Sequence, residues 1–217
     1  MGDKLVLFSY WRSSSSYRVR IVLHLKGLNF EYRPVHLVKN GGEQNSADYL
    51  SRNPKGEVPF LLHHSFGLSQ SVAILHYLEE NWPNPRMLPG SIEDRARCLE
   101  IVEVINSGVQ PLHNLGVLKN LELMAGFDEA KKKLWMQTYI KKGCVALESL
   151  LTRSAKKFCI GDEVSWADAC LVPHVYSAKR FEVDLSSFPK ILEINQHCLA
   201  LSAFERAIPE NQIDAGM

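Results

Sequence analysis

The sequence predicts an α/β domain followed by an all-α domain, and three features of its pattern support this. The first ~80 residues alternate between strand and helix signals. The stretch at residues 83–90 contains three prolines and one glycine, so it cannot continue a helix and is typical of a linker. After the linker, apolar residues recur with helical spacing only. We therefore expect two domains, at residues 1–83 and 91–217.

The predicted first domain has the element order β-α-β-α-β-β-α. Its first strand covers Lys4 to Ser9, and the helix after it runs from the following serines to Lys26, where Gly27 is placed to end it. The remaining elements are a strand at 29–37, a helix at 44–50, a hairpin at 57–63 and 65–68, and a helix at 70–82. This order is that of a thioredoxin-like unit.

The predicted second domain contains helices only. An apolar stripe over residues 98–112 predicts a long helix, in which Pro111 is expected to cause a kink. A second stripe, from Met136 to Leu151, predicts another helix. Ser165 and Asp168 have the spacing of a capping box, which predicts a third helix that ends near Arg180. Shorter helices follow as far as Phe204.

The composition limits the classes of partner and location. With 25 Lys+Arg against 24 Asp+Glu, the net charge of +1 leaves no broad basic surface for nucleic acid. No run of ~18 apolar residues occurs, and the N-terminus lacks the apolar core of a signal peptide. We therefore expect a cytoplasmic protein without a nucleic-acid or membrane partner.

The five cysteines are odd in number and widely spaced, and none forms a C-x-x-C pair. This pattern indicates neither a disulfide framework nor a metal site, and helical spacing favours burial as small hydrophobic residues. No cysteine precedes residue 98, so sulfur chemistry in the first domain would need a thiol from outside.

The serine run Ser13 to Ser16 follows a strand and opens a helix. The unpaired N–H groups and the positive dipole end at such a place attract anions. A thiolate held there would have a lowered pKa, and a serine hydroxyl would add a charge-assisted hydrogen bond. The same serines can simply cap the helix, and the local sequence leaves both interpretations open.

Two further places could hold a peptide ligand. Pro59 opens a β-like run, and a cis bond after Val58 would leave the backbone there free to pair with an extended peptide. Gln70 and Ser71 begin a helix whose N–H groups could hold a carboxylate, although capping explains Ser71 equally well. Together with the serine run, these places suit a short acidic peptide with a thiol, such as glutathione.

The segment Ser9 to Ile21 closely resembles the zeta-class glutathione transferases, whose signature reads S-S-C-x-x-R-V-R-I. Further matches are Asn53-Pro54, Val58-Pro59, Gln70-Ser71, residues 109–112, 114–115 and 161–165, and Ala167-Asp168. The resemblance covers essentially the whole chain. It implies the glutathione transferase fold, glutathione as cofactor and a homodimer.

The resemblance also implies the site residues. Ser13 would contact the glutathione sulfur, with Ser14 and Ser15 beside it as catalytic residues. The other positions expected to bind glutathione are Ser16, Tyr17, Arg18, Gln44, Val58, Pro59, Gln70, Ser71, Gln110, Asn114, Leu115 and Gly116. Ser15 replaces the family cysteine, which argues against a mixed-disulfide side activity and affects isomerisation less.

The reaction implied by the resemblance is the conversion of maleylacetoacetate to fumarylacetoacetate in tyrosine and phenylalanine catabolism. The glutathione thiolate would add to the cis double bond, allow rotation and leave again. Arg12 and Arg180 are candidates to bind the carboxylates of this dianionic substrate.

Two alternatives stay open. One is a general zeta-class transferase acting on α-halo acids, which would consume glutathione. The other is a non-catalytic binding module with the transferase fold.

Overall fold

The computed structural model describes residues 4–216, which form two compact units. The first unit ends at Arg86 and also includes the segment from Ala200 onward, whereas the second is Met87–Leu199. The first boundary lies close to the predicted linker. The predicted range 91–217 differs at its end, because the last segment of the chain packs with the first unit.

A four-stranded sheet lies at the centre of the first unit. The strands are β1 (Leu5–Ser9), β2 (Phe30–Pro34), β3 (Phe60–His63) and β4 (Phe66–Ser69). Their order is β2-β1-β3-β4, with β1 parallel to β2 and antiparallel to β3, and β4 antiparallel to β3. This arrangement confirms the thioredoxin-like unit.

Three helices complete the α/β pattern: α1 (Ser14–Leu25), α2 (Ala47–Arg52) and α3 (Ser71–Asn81). Helix α2 begins later than predicted, since Glu43–Asn45 forms a separate 3₁₀ helix and the Ser46 hydroxyl then caps α2 by accepting from the Tyr49 N–H. Helix α1 ends as predicted, with Gly27 in the left-handed region at φ 64°.

The second unit is entirely helical, which confirms the predicted fold class. Its α-helices are α4 (Ile92–Glu103), α5 (Leu115–Ala125), α6 (Glu129–Ser154), α7 (Trp166–Arg180) and α8 (Pro189–Leu199). The predicted helix over 98–112 is interrupted, because α4 passes into a π-helical segment at Val104–Val109 and a 3₁₀ helix at Gln110–His113 that contains Pro111. Helix α5 was not predicted.

The capping box of α7 forms as predicted. The Ser165 N–H and hydroxyl both donate to Asp168 Oδ2, at 2.8 and 2.9 Å, and the Cys159 N–H donates to Oδ1 at 2.8 Å. All five cysteines are buried and none forms a disulfide within residues 4–216, and burial raises the pKa of the Cys98 and Cys144 thiols to about 12. Their predicted burial is therefore confirmed, and the raised pKa of Cys98 and Cys144 is the opposite of the lowered pKa of a reactive thiol.

The last segment contains α9 (Ser202–Ala207), which packs against α1 in the first unit. Ala203, Phe204 and Ala207 are buried. Their burial is the physical reason why this segment joins the first unit rather than the second. Within residues 4–216, no helix combines the length and apolar character needed to cross a membrane.

The first unit buries both faces of β1. Leu5 and Leu7 are 2% and 0% exposed on one face, and Val6 and Phe8 are buried on the other. Phe8 belongs to a cluster with Tyr49 of α2 and Phe60 of β3. Because successive side chains of a strand point to opposite faces, β1 can support both layers and hold the loop that follows it.

A buried ion pair joins the ends of α1 and α3. Lys26 Nζ lies 2.9 Å from Glu79 Oε2, and it also donates to the carbonyl oxygens of Trp82 and Pro85 at 2.6 and 3.0 Å. These bonds satisfy the buried ammonium group and fix the chain where α3 ends.

His24 is expected to make the stability of the first unit depend on pH. Burial, followed by the positive charges of Arg206 and Arg20, lowers the pKa of His24 from 6.5 to about 4. The unfolded chain therefore binds more protons at His24 between these two values, so the free energy of unfolding falls as the pH falls through this window. We expect His24→Gln to lose less stability than the wild type over the same range.

Urea unfolding at a series of pH values measures this difference. The exposed His76→Gln variant is the control and should follow the wild type. The same pH slope for His24→Gln and the wild type would contradict the expectation.

Candidate functional site

The serine run forms the N-terminus of α1. The Ser13 hydroxyl oxygen accepts from the Ser16 N–H at 3.2 Å, and the Ser13 N–H donates to the carbonyl of Tyr10 at 3.0 Å. Ser13 is therefore a helix cap. A hydroxyl that accepts one hydrogen bond still carries its own hydrogen, so Ser13 can also donate to a ligand.

Two backbone donors remain at this helix end. The N–H groups of Ser14 and Ser15 have no hydrogen-bond partner among residues 4–216, and both residues are partly exposed. The positive end of the helix dipole acts at the same place. The first turn of α1 can thus hold an anion through N–H groups that no other part of the described chain uses.

The side chains of the next three residues of the predicted site are buried. Ser16, Tyr17 and Arg18 are 0%, 1% and 1% exposed, because they lie on the inner side of α1. Their side chains are therefore not available on the surface of the first unit, and the expectation that these three positions bind glutathione stays a prediction. The Ser16 hydroxyl has no partner among the described residues.

Arg18 instead connects α1 to the start of α3. Its Nη1 donates to the hydroxyl oxygen of Ser71 at 3.1 Å, in buried surroundings. Gln70, just before Ser71, is exposed and adopts φ 71°, in the left-handed region that a non-glycine residue rarely occupies. Arg18 therefore holds the turn at Gln70 and Ser71, the predicted carboxylate-binding turn, from its buried side.

Arg20 organises the loop before the serine run, a role that the sequence analysis missed. Its guanidinium donates to the carbonyls of Tyr10 and Trp11 at 3.4 and 3.0 Å, to the Ser9 hydroxyl at 3.3 Å, and to the carbonyl of Ala207 at 3.1 Å. The sequence did contain a signal for this role, because Arg20 stands between the apolar residues Val19 and Ile21. The helix that carries them buries most of its residues.

The bond between Val58 and Pro59 is cis, as considered from the sequence. Val58 precedes β3, which starts at Phe60, so it lies outside the pairing of β1 with β3. Its N–H and carbonyl have no hydrogen-bond partner among residues 4–216. This backbone can pair with an extended peptide.

Gln44 is folded back onto the chain. Its Nε2 donates to the carbonyl of Leu37 at 3.4 Å, and its Oε1 is buried without a partner in the described part of the chain. A side chain at Gly42, which has φ 95°, would clash with the Gln44 carboxamide. The carboxamide of Gln44 is therefore packed against the chain at Leu37 and Gly42.

Arg12 presents a cation beside the serine run. Its guanidinium lies 4.3 Å from the centre of the Trp11 ring, and its Nε is buried. Its side chain makes no ion pair or hydrogen bond with residues 4–216. Such a stacked guanidinium is held in place and keeps its charge for a ligand carboxylate.

The other predicted residues belong to the second unit. Gln110 opens the 3₁₀ helix, and Asn114, Leu115 and Gly116 lie at the start of α5. The His113 and Phe181 rings are 6.1 Å apart, and the Arg180 guanidinium lies 4.9 Å from the Phe181 ring centre. Within this unit, the structure therefore brings the turn before α5 close to the end of α7.

Comparisons with known proteins identify the family. Residues 3–80 match the family model described as "Glutathione S-transferase, N-terminal domain", and residues 119–204 match "Glutathione S-transferase, C-terminal domain". A solved bacterial maleyl pyruvate isomerase, described as a zeta-class glutathione S-transferase, has a TM-score of 0.94 and 38% identity, and covers 97% of this chain and 100% of its own. This chain belongs to the zeta class of glutathione S-transferases.

Two further comparisons concern the reaction. A maleylacetoacetate isomerase of Rattus norvegicus is 47% identical over 98% of this chain and 96% of its own length. A maleylacetoacetate isomerase of Anaeromyxobacter dehalogenans, solved with dicarboxyethyl glutathione and citrate in its active site, has a TM-score of 0.88 and 40% identity. The comparison covers 100% of this chain and 99% of that one.

The link between Arg18 and Ser71 can be measured in this zeta-class chain by a double-mutant cycle. We expect Arg18→Met and Ser71→Ala to be coupled by about 1.5–3 kcal/mol in the free energy of unfolding, because each removes the same charge-assisted hydrogen bond. Urea unfolding of both single variants and the double variant gives the coupling. Additive effects would show that the two side chains act independently.

Proposed function

We propose that this chain is a glutathione-dependent isomerase that converts maleylacetoacetate to fumarylacetoacetate, a step of tyrosine and phenylalanine catabolism. The observation that carries the proposal is the first turn of α1, where a capping hydroxyl is available together with two N–H groups that have no partner among residues 4–216. The names of the relatives in this class support the choice of reaction.

The residues present fit glutathione along its length. The first turn of α1 would hold the sulfur, and the backbone of Val58 would pair with the peptide as an added strand does. Gln70 and Ser71, at the start of α3, would hold a terminal carboxylate through the N–H groups of that helix end. In the second unit, Gln110, Asn114, Leu115 and Gly116 are the proposed further contacts.

Bound glutathione would supply a thiolate that adds to the cis double bond, permits rotation about the resulting single bond, and leaves again as thiolate when the double bond re-forms. The chain would keep the sulfur ionised. Ser13 would donate its O–H to the sulfur, and Ser14 and Ser15 would offer their N–H groups. These donors and the helix dipole lower the pKa of a thiol because they stabilise only its charged form.

The substrate has two carboxylates, and Arg12 and Arg180 are the proposed cations for them. The Arg12 guanidinium is stacked on Trp11 and has no ion-pair partner among residues 4–216. A fixed guanidinium can bind a carboxylate through two parallel hydrogen bonds. It would also hold the reacting double bond in one place relative to the sulfur.

Ser13→Ala tests the sulfur site. Loss of one charge-assisted hydrogen bond to the thiolate should raise the pKa of bound glutathione by about 1–2 units and lower turnover. Ultraviolet absorbance of the thiolate, titrated against pH, measures this pKa. The control is Ser16→Ala, since that buried hydroxyl has no partner among the described residues and should leave the titration unchanged. An unchanged titration in Ser13→Ala would remove Ser13 from the mechanism.

Limiting glutathione distinguishes the isomerase from the transferase that acts on α-halo acids. We expect many molecules of fumarylacetoacetate per molecule of glutathione, because isomerisation regenerates the thiol. The trans product and the remaining free thiol are measured in the same sample, with a reaction lacking enzyme as the control. Loss of one thiol for each substrate molecule would instead indicate conjugation, and no product would indicate a binding module.

We also propose a homodimer in the cytoplasm, on the basis of the class to which the chain belongs. A dimer would be related by a two-fold axis, as most soluble homo-oligomers are. Sedimentation velocity at the assay concentration measures the mass, and a single species at the monomer mass would argue against this assembly.

A further inference from the structure

Asp214, near the end of the chain, contacts the loop before the serine run. It is only 2% exposed, and its two carboxylate oxygens have different partners. Oδ2 accepts from the backbone N–H of Trp11 at 3.0 Å, and Oδ1 accepts from the Tyr32 hydroxyl at 2.7 Å. The carboxylate therefore joins the C-terminal segment to β2 and to the start of the site.

Trp11 links Asp214 to the site, because it contacts both Asp214 and Arg12. Its N–H is held by Asp214, and its carbonyl accepts from Arg20 Nη2 at 3.0 Å, so its backbone is fixed on both sides. The guanidinium of Arg12 stacks on the Trp11 indole at 4.3 Å. A shift of the Trp11 backbone would therefore move the surface on which this cation rests.

We propose that Asp214 is a positioning residue for substrate binding: it fixes Trp11, and through Trp11 it holds the Arg12 guanidinium where that group meets a carboxylate of the substrate. This inference rests on the proposed function, because it assigns Arg12 to a carboxylate of a dianionic substrate. It assigns no contact with the reacting atoms to Asp214.

The two partners of Asp214 differ in their hydrogen-bonding chemistry. This difference allows variants to distinguish the positioning of Trp11 from simple anchoring of the C-terminal segment. The Trp11 N–H can only donate, whereas the Tyr32 hydroxyl can donate or accept. In Asp214→Asn, the amide oxygen can therefore still accept from Trp11 while the amide N–H donates to Tyr32. This variant should keep the position of Trp11 although the charge is lost.

Tyr32→Phe is the matched control. It removes the other hydrogen bond of the same carboxylate and leaves the bond to Trp11 in place. If Asp214 only anchored the C-terminal segment, Tyr32→Phe and Asp214→Ala would have similar effects on catalysis. If Asp214 positions Trp11, only Asp214→Ala affects substrate binding.

The experiment measures kcat and KM for maleylacetoacetate, together with the pKa of bound glutathione. For Asp214→Ala we expect KM to rise about tenfold, the effect of weakening one charge-assisted contact, with the thiol pKa unchanged. Arg12→Leu should raise KM by at least as much. Asp214→Asn and Tyr32→Phe should stay close to the wild type. If Asp214→Ala does not fold, Asp214→Glu gives the second test, because its longer side chain should displace Trp11 and raise KM.

The outcomes separate the two proposals. If Arg12→Leu raises KM but the Asp214 variant that folds does not, the inference is overturned and the proposed function stands. The inference is also overturned if Tyr32→Phe raises KM as much as Asp214→Ala, or if Arg12→Leu leaves KM unchanged. Absence of isomerisation by the wild type would overturn the proposed function itself.

Discussion

The first unit depends on the buried guanidinium of Arg20. A buried charge is costly unless hydrogen bonds satisfy it, and Arg20 finds acceptors on three parts of the chain: the end of β1, the loop at Tyr10 and Trp11, and the carbonyl of Ala207 in α9. These acceptors cannot move without leaving the guanidinium unsatisfied. Arg20 therefore holds the loop before the serine run from the side of α1, while Asp214 holds the Trp11 N–H of the same loop.

This constraint explains how a simple helix cap can become a site for chemistry. The Ser13 hydroxyl is already oriented by the Ser16 N–H, and the Ser14 and Ser15 N–H groups are left available. Preformed donors of this kind cost no reorganisation when negative charge develops on a ligand. The two arginines of the R-V-R-I segment thus act from inside the unit, with Arg18 holding Ser71 and Arg20 holding the loop, whereas Arg12 presents its charge beside the serine run.

Local signals made the α/β pattern, the cap at Ser13, the end of α1 at Gly27 and the capping box of α7 predictable. Helix α5 was not predicted although the sequence does hold a signal for it, since Val117, Leu121 and Met124 have helical spacing; the structure buries none of its residues. The position of the C-terminal segment could not be predicted from the sequence either. It depends on contacts such as that between Trp11 and Asp214, which are 203 residues apart. For the same reason, the local sequence did not show that Arg18, which the family pattern places among the residues that bind glutathione, donates to Ser71, 53 residues away.

Residue-resolved amide hydrogen exchange, with and without glutathione, tests most directly whether the first turn of α1 is a preformed thiolate site. The Ser16 and Tyr17 amides, which donate to the Ser13 hydroxyl and carbonyl, should exchange slowly in both states. The Ser14 and Ser15 amides should exchange quickly without glutathione and become protected when it binds. Protection elsewhere in the first unit, with no change at Ser14 and Ser15, would contradict the account.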